Sequence, residues 1–184
     1  MSIRVIAGDA KGRILKSPTG QKIRPTSNLV RSAIFSILEP YIDDARVLDL
    51  FSGTGALGLE ALSRGADWVD FFESDIKQCS SIKDNLNLLE YSSFGAVHRA
   101  PAERAKDILD GSYDVIFMDP PYSYDKLEPL LVEIGESTLS HSGSVVAVEH
   151  SHRQDLPLEV NGLRLIKQRR YGETMVTVYQ QGGE

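Results

Sequence analysis

An α/β fold built on a mostly parallel sheet is predicted by three observations. From Arg46 onward, short apolar runs near 46–51, 68–73, 95–99, 113–118 and 143–149 alternate with helix-periodic stretches near 54–64, 75–90, 101–110 and 124–139. Strands linked by crossover helices read this way, with helices covering both sheet faces. Second, Val47-Leu48-Asp49-Leu50-Phe51-Ser52-Gly53-Thr54-Gly55-Ala56-Leu57-Gly58 runs from apolar strand through glycine turn into helix. That order belongs to a ligand site at the carboxyl end of a parallel strand. Third, the tail holds two alternating runs, 163–169 and 174–179, joined by Tyr171-Gly172-Glu173. A terminal hairpin of this kind puts an antiparallel strand into the sheet.

The part before the alternation differs in character. Residues 3–7 and 13–16 read as two short strands around Gly8-Asp9-Ala10-Lys11-Gly12, and Ser17-Pro18-Thr19-Gly20 breaks the pattern. Arg24-Pro25-Thr26 leads into a helix over 27–39, with Leu29, Val30, Ala33, Ile34, Ile37 and Leu38 on one face and Pro40 as its stop. Thr26 or Ser27 is placed to cap that helix. The expected organisation is a basic hairpin and helix, residues 1–40, appended to a core of residues 41–184.

Composition narrows the class. At 184 residues, 41% hydrophobic and 25% charged, the chain suits one soluble globular unit. No apolar run is long enough to span a bilayer or to form a signal-peptide core, and the single cysteine cannot form an internal disulfide. A reducing cytoplasm is the expected location. Cys79 falls in line with Ile76, Ile82 and Leu86 on a helix and is expected to pack. The net charge of −6 is unevenly spread: residues 1–31 hold seven basic residues and one acid, leaving thirteen basic and twenty-five acidic residues elsewhere. A basic arm on an acidic body points to contact with a polyanion.

The candidate site residues follow from the strand ends. Gly53-x-Gly55-x-x-Gly58 matches the dinucleotide fingerprint. Asp49, four positions before the first glycine, would face an incoming pyrophosphate with like charge. It suits instead a ligand carrying an ammonium and a sulfonium, as S-adenosylmethionine does. Glu73 closes the second strand twenty residues after Gly53, where an acid can accept from both ribose hydroxyls. The loop Ala100-Pro101-Ala102-Glu103 follows the third strand and is placed toward the adenine. After the fourth strand comes Asp119-Pro120-Pro121-Tyr122. Two prolines fix the backbone and remove two N–H donors, so their carbonyls are left to accept. With the Asp119 carboxylate they form acceptors for a flat NH₂ group, and Tyr122 offers a ring for a base to stack on. Held in this way, an amine needs little beyond positioning to meet an activated methyl group, and Asp119 can take the departing proton. His150 and His152 lack a third partner for a metal. Arg164, Lys167, Arg169 and Arg170 form a second basic cluster, read equally as solvated strand positions.

In their order, Asp49 with Gly53-Thr54-Gly55, Glu73 and Asp119-Pro120-Pro121-Tyr122 resemble the motifs of Rossmann-like class I amino methyltransferases. Taken with Arg4-Val5-Ile6-Ala7-Gly8, Gly12-Arg13, Arg24-Pro25-Thr26 and Tyr171-Gly172-Glu173-Thr174, nearly the whole chain is similar to the bacterial D-type 16S ribosomal RNA guanine-N2 methyltransferases. The resemblance implies a seven-stranded sheet with an antiparallel last strand, S-adenosylmethionine as donor and a guanine N2 in 16S rRNA as target. The RNA would be presented in the small ribosomal subunit or its late precursor, to a monomeric, metal-free enzyme. The donor set would be Asp49, Phe51, Ser52, Gly53, Gly55, Glu73, Ser74, Ala102, Glu103 and Asp119. Catalysis would fall to Asp119, Pro120 and Tyr122, and RNA contacts to Lys11, Arg13, Arg24, Thr26, Arg31, Pro121 and Tyr122. Ser27-Asn28-Leu29-Val30-Arg31 departs from the family pattern, being less polar and basic than expected after the Arg-Pro-Thr. The competing readings are a DNA adenine-N6 methyltransferase, for which 184 residues leave little room for a target-recognition domain, an NAD-type dehydrogenase, which lacks a visible hydride-transfer constellation, and a binding module without turnover.

Overall fold

The computed structural model describes residues 3–18 and 27–183. Its strands are β1 (Arg46–Asp49), β2 (Trp68–Glu73), β3 (Gly95–Arg99), β4 (Tyr113–Met118), β5 (Ser140–Ser151), β6 (Glu159–Val160), β7 (Leu163–Tyr171) and β8 (Thr174–Gln181). The helices are α1 (Asn28–Leu38), α2 (Ala56–Ser63), α3 (Ile76–Leu88), α4 (Ala105–Ile108) and α5 (Leu127–Glu136). One sheet runs in the order β3-β2-β1-β4-β5-β8-β7-β6. The first five strands of that order are parallel, and β8, β7 and β6 are antiparallel to their neighbours. The expected seven strands become eight because the two residues of β6 pair with Leu163 and Arg164. A two-residue strand leaves no alternation for a sequence to show.

The central strands are buried on both faces, so they read as apolar runs without alternation. One face is covered by α1, α2, α3 and the N-terminal segment, with Phe35 packed on Phe117 at 5.6 Å between ring centroids. The other is covered by α4 and α5 over Leu48, Ile116, Val146 and Val148. Ser27 caps α1, its side chain accepting from the Val30 N–H at 3.2 Å. Gly58 shows why α2 needs a glycine in its first turn: a Cβ there would lie 2.3 Å from the Phe71 ring. The helix between β3 and β4 is shorter than expected, a 3₁₀ turn over Ala102–Arg104 followed by the four residues of α4.

The N-terminal segment is hydrogen-bonded as a hairpin, Leu15 N–H to Ile3 O and Val5 N–H to Arg13 O, but Arg4 and Ile14 form its single isolated bridge. It is pinned to α2 by Glu60, whose carboxylate accepts from the Ile6 and Ala7 N–H groups at 2.7 and 2.9 Å and from Arg64 at 2.9 Å. Arg31 completes this cluster. It is fully buried, donates to the Arg4 carbonyl and to Asn28, and lies 3.9 Å from Glu60. The expected RNA contact at Arg31 is therefore corrected: its guanidinium is enclosed between the arm and α2, with no face toward a substrate.

Candidate active site

β1 and β4 are neighbours at the point where the strand order reverses. Their following loops leave toward opposite faces, which opens a crevice at the carboxyl ends of the strands. A cleft of about 760 Å³ lies there. Phe51, Ser52, Gly53, Glu73, Ser74, Ala102, Glu103, Asp119, Pro120, Pro121 and Tyr122, from four separate strand ends, all line it. Ala100 and Pro101 join Ala102 and Glu103 on its wall.

The glycine turn takes its shape from positive φ angles, +52° at Gly53 and +79° at Gly55, which caps α2 from the left-handed region. Glu73 fixes the turn: one carboxylate oxygen accepts from the Gly53 N–H at 2.9 Å and the other from the Asp75 N–H at 2.8 Å. Each oxygen keeps a further lone pair for a ligand hydroxyl. Cys79 is buried and packs as expected, its thiol directed to the Glu73 carbonyl at 3.2 Å.

Two expected donor residues sit behind the cleft. Gly55 shapes the turn without lining it. Asp49 is fully buried beneath the loop, one oxygen accepting from the Gly58 N–H at 3.2 Å and Oδ1 left without a partner. Burial raises its pKa to about 7, and the negative charges of Asp119 and Glu73 add to the rise. A strand carboxylate alternates face with its neighbours, and at this position the pleat aims it under the helix instead of into the opening.

The Asp119 loop also differs in one detail from expectation. The Pro121 carbonyl accepts from the Tyr124 N–H at 2.8 Å, closing a turn. Asp119 and Pro120 both line the cleft beside it. Tyr122 is 45% exposed at the cleft mouth, and its hydroxyl bonds Thr174 Oγ1 at 2.6 Å. Tyr124 stands edge-on to Phe51 at 5.1 Å and donates to Glu103 at 2.9 Å. Its pKa is raised, first by burial and then by Glu103.

Several lining residues escaped the sequence reading. Ser27 and Val30 arrive from α1, Glu149 from the end of β5 and Thr174 from the start of β8. Tyr124 could have been suspected as a second aromatic just beyond Tyr122. Glu149 stands at a strand end, the signal that also marked Glu73. Of the histidines, His150 is buried and bonded to Thr177 and the Ser151 carbonyl, and His152 leans on Glu173.

The expected RNA residues scatter. Lys11 and Arg13 are exposed but lie outside the cleft lining. Their hairpin tip docks on Ser63, at the far end of α2 from the glycine turn, through Asp9 and Ala10 N–H bonds. Arg13 also donates to the Leu88 carbonyl at 2.7 Å. Eight residues of helix, about 12 Å, separate that tip from the turn. Arg24 and Thr26 lie outside the described residues.

The lining charge decides the ligand class. Glu73, Asp75, Glu103, Asp119 and Glu149 all face this cleft, and no basic residue joins them among the described residues. A pyrophosphate would meet that wall with repulsion. An ammonium and a sulfonium meet complementary charge, so the residues present fit S-adenosylmethionine. Sheet and cleft together define a Rossmann-like methyltransferase with that donor.

Comparison with known proteins narrows the class. The family model described as conserved hypothetical protein 95 matches residues 3–180. The ribosomal RNA small subunit methyltransferase D of Haemophilus influenzae is 32% identical, over 97% of this chain and 93% of its own. The Escherichia coli K12 protein of the same name is 31% identical, over 97% and 89%. The solved structure of Escherichia coli yhhF superposes with a TM-score of 0.89 at 31% identity, covering all of both chains. The chain belongs to this conserved hypothetical protein 95 family, alongside the small subunit methyltransferases D.

Proposed function

We propose that the protein transfers a methyl group from S-adenosylmethionine to the exocyclic N2 of a guanine in 16S ribosomal RNA, within the small subunit or its late precursor. The observation that carries the reading is the convergence of the Glu73-bound glycine turn and Asp119-Pro120-Pro121-Tyr122 on one acidic cleft. The relatives' names support ribosomal RNA as the substrate, and the family resemblance supports guanine N2.

When bound, the donor supplies an electrophilic methyl carbon on sulfur. The chain's residues do the rest by position. Glu73 accepts from the ribose hydroxyls, and Phe51, Ala102 and Glu103 line the adenine side. The Asp119 carboxylate and the Pro120 carbonyl accept the two N2 hydrogens, so the nitrogen lone pair points toward the methyl carbon. Asp119 takes the proton that N2 loses as the new bond forms. Tyr122, braced by Thr174, stacks on the base, which must be unpaired or flipped to enter. Lys11, Arg13 and Arg24 are proposed to hold phosphates away from the reacting base.

The test uses labelled donor with wild type and Asp119→Ala, offered unmodified small subunits, naked small-subunit RNA and duplex DNA. Transfer to the ribosomal RNA, lost in the variant, is expected. Transfer to duplex DNA alone would replace this reading with the adenine-N6 one.

A further inference from the structure

The C-terminal hairpin presents cations that the cleft chemistry does not use. β6 covers Leu163 and Arg164 of β7, and the Leu165 N–H donates to the Leu158 carbonyl at 2.9 Å, so among the described residues the open edge of β7 runs from Ile166 to Tyr171. Charge on an open edge can serve merely to block strand-on-strand association. Here the direction of the charges says more. The register slips between Leu165 and Lys167, so residues before and after the slip fall on different faces. Leu163 and Leu165 pack toward α5. Beyond the slip, Lys167 stands opposite Val178, Arg169 opposite Val176 and Tyr171 opposite Thr174. Directly opposed residues share a face, and Val176 and Val178 belong to the face that carries α1 and the N-terminal arm.

Two of the four cations are neutralised locally. Arg164 lies 3.3 Å from Glu159, and Arg170 lies 3.9 Å from Glu173. Lys167 and Arg169 are exposed and have no acidic partner among the described residues. They also point along a line to the site. Arg169 is in register, through Val176, with Glu149 of the cleft wall, and Tyr171 opposes the Thr174 that braces Tyr122. Alternate residues on a strand stand about 7 Å apart, so the two cations approach the cleft mouth in even steps.

We propose that Lys167 and Arg169 form a phosphate track for the RNA strand that flanks the methylated base. The proposal rests on the rRNA reading above. It assigns the strand leaving the cleft to the hairpin edge, so that the element bracing Tyr122 also holds the backbone beside the flipped base.

The test compares wild type with the Lys167→Gln/Arg169→Gln double variant on unmodified small subunits, following kcat, KM, donor affinity and the salt dependence of subunit binding. Losing two phosphate contacts should raise KM roughly tenfold near physiological salt and flatten the slope of log affinity against log salt by about 1.5. Donor affinity, kcat and the urea midpoint should not change. Lys167→Arg with Arg169→Lys, which keeps both charges, should retain most of the affinity. An active wild type with KM and salt slope unchanged in the double variant overturns the track. A wild type that transfers nothing to the RNA of these subunits overturns the rRNA reading, and the track falls with it.

Discussion

Asp49 and Asp70 are both buried aspartates on neighbouring strands, yet their surroundings differ completely. Asp70, on β2, is 3% exposed and accepts from Trp68, Tyr113 and His98 at 2.8, 2.8 and 2.7 Å, with Arg46 at 3.7 Å. Burial pushes its pKa up, but the hydrogen bonds from His98, Tyr113 and Trp68 outweigh it and hold the carboxyl below its ordinary value. Asp49, on β1, accepts from the Gly58 N–H at 3.2 Å, with a weaker pull from the Phe51 backbone, and burial raises its pKa to about 7. A carboxylate that serves the scaffold is saturated with donors. One that lies under a ligand site keeps capacity in reserve, at a cost in stability. The pair therefore separates a carboxylate saturated by the scaffold from one left short of donors beneath the glycine turn.

The largest expected effect tests the site side of this contrast. Asp119→Ala should lower kcat by about 10²–10⁴-fold while leaving the urea midpoint near wild type, as single-turnover transfer and denaturation would show. Asp70→Ala should do the reverse. It strands buried donors and should cost about 3 kcal/mol of unfolding free energy, with little change in turnover per folded molecule. Asp70 also carries an acid dependence: with its folded pKa depressed, its contribution is present above the unfolded pKa and is lost as pH falls through the folded value.

Asp49→Asn should have the opposite sign at high pH. Between the unfolded pKa near 3.8 and the folded value of about 7, the folded wild type holds a proton that the unfolded chain has released. Wild-type stability should thus fall as pH rises across that window and level off above it. The Asn variant lacks that slope and should gain roughly 2–4 kcal/mol over wild type at pH 8, read from urea midpoints at pH 5 and 8. Equal pH dependence in the two proteins would break the comparison. Smallest of all, Tyr122→Phe removes the bond to Thr174 and should raise the RNA KM by about two- to fivefold, with donor affinity unchanged.

How far the sequence reached depends on the range of the interactions involved. Gly53, Glu73, Ala102 and Asp119 each stand at or just past the end of a strand of a parallel sheet, and parallel strands deliver their loops to one end, so local motifs sufficed to bring them together. Arg31 was misjudged because its burial depends on Glu60 and on the arm carbonyl at Arg4, partners that adjacent residues do not reveal. Asp49 was given the right neighbourhood and the wrong face, since alternation along a four-residue strand buried on both sides leaves no polar signal. Thr174 reaches the cleft only through the antiparallel pairing of β8 with β5. The Pro121 carbonyl was read as open because its turn closes on Tyr124, a bond that the proline pair alone does not specify.

The central claim is that this acidic cleft methylates a guanine amine in ribosomal RNA, and identifying the product nucleoside tests it most directly. Unmodified small subunits would be incubated with methyl-labelled S-adenosylmethionine and the purified protein, and the RNA then digested and resolved by chromatography with mass spectrometry. The account predicts the label in N2-methylguanosine at a single site. Label in any other nucleoside, or none in the RNA while the donor is bound, would contradict it.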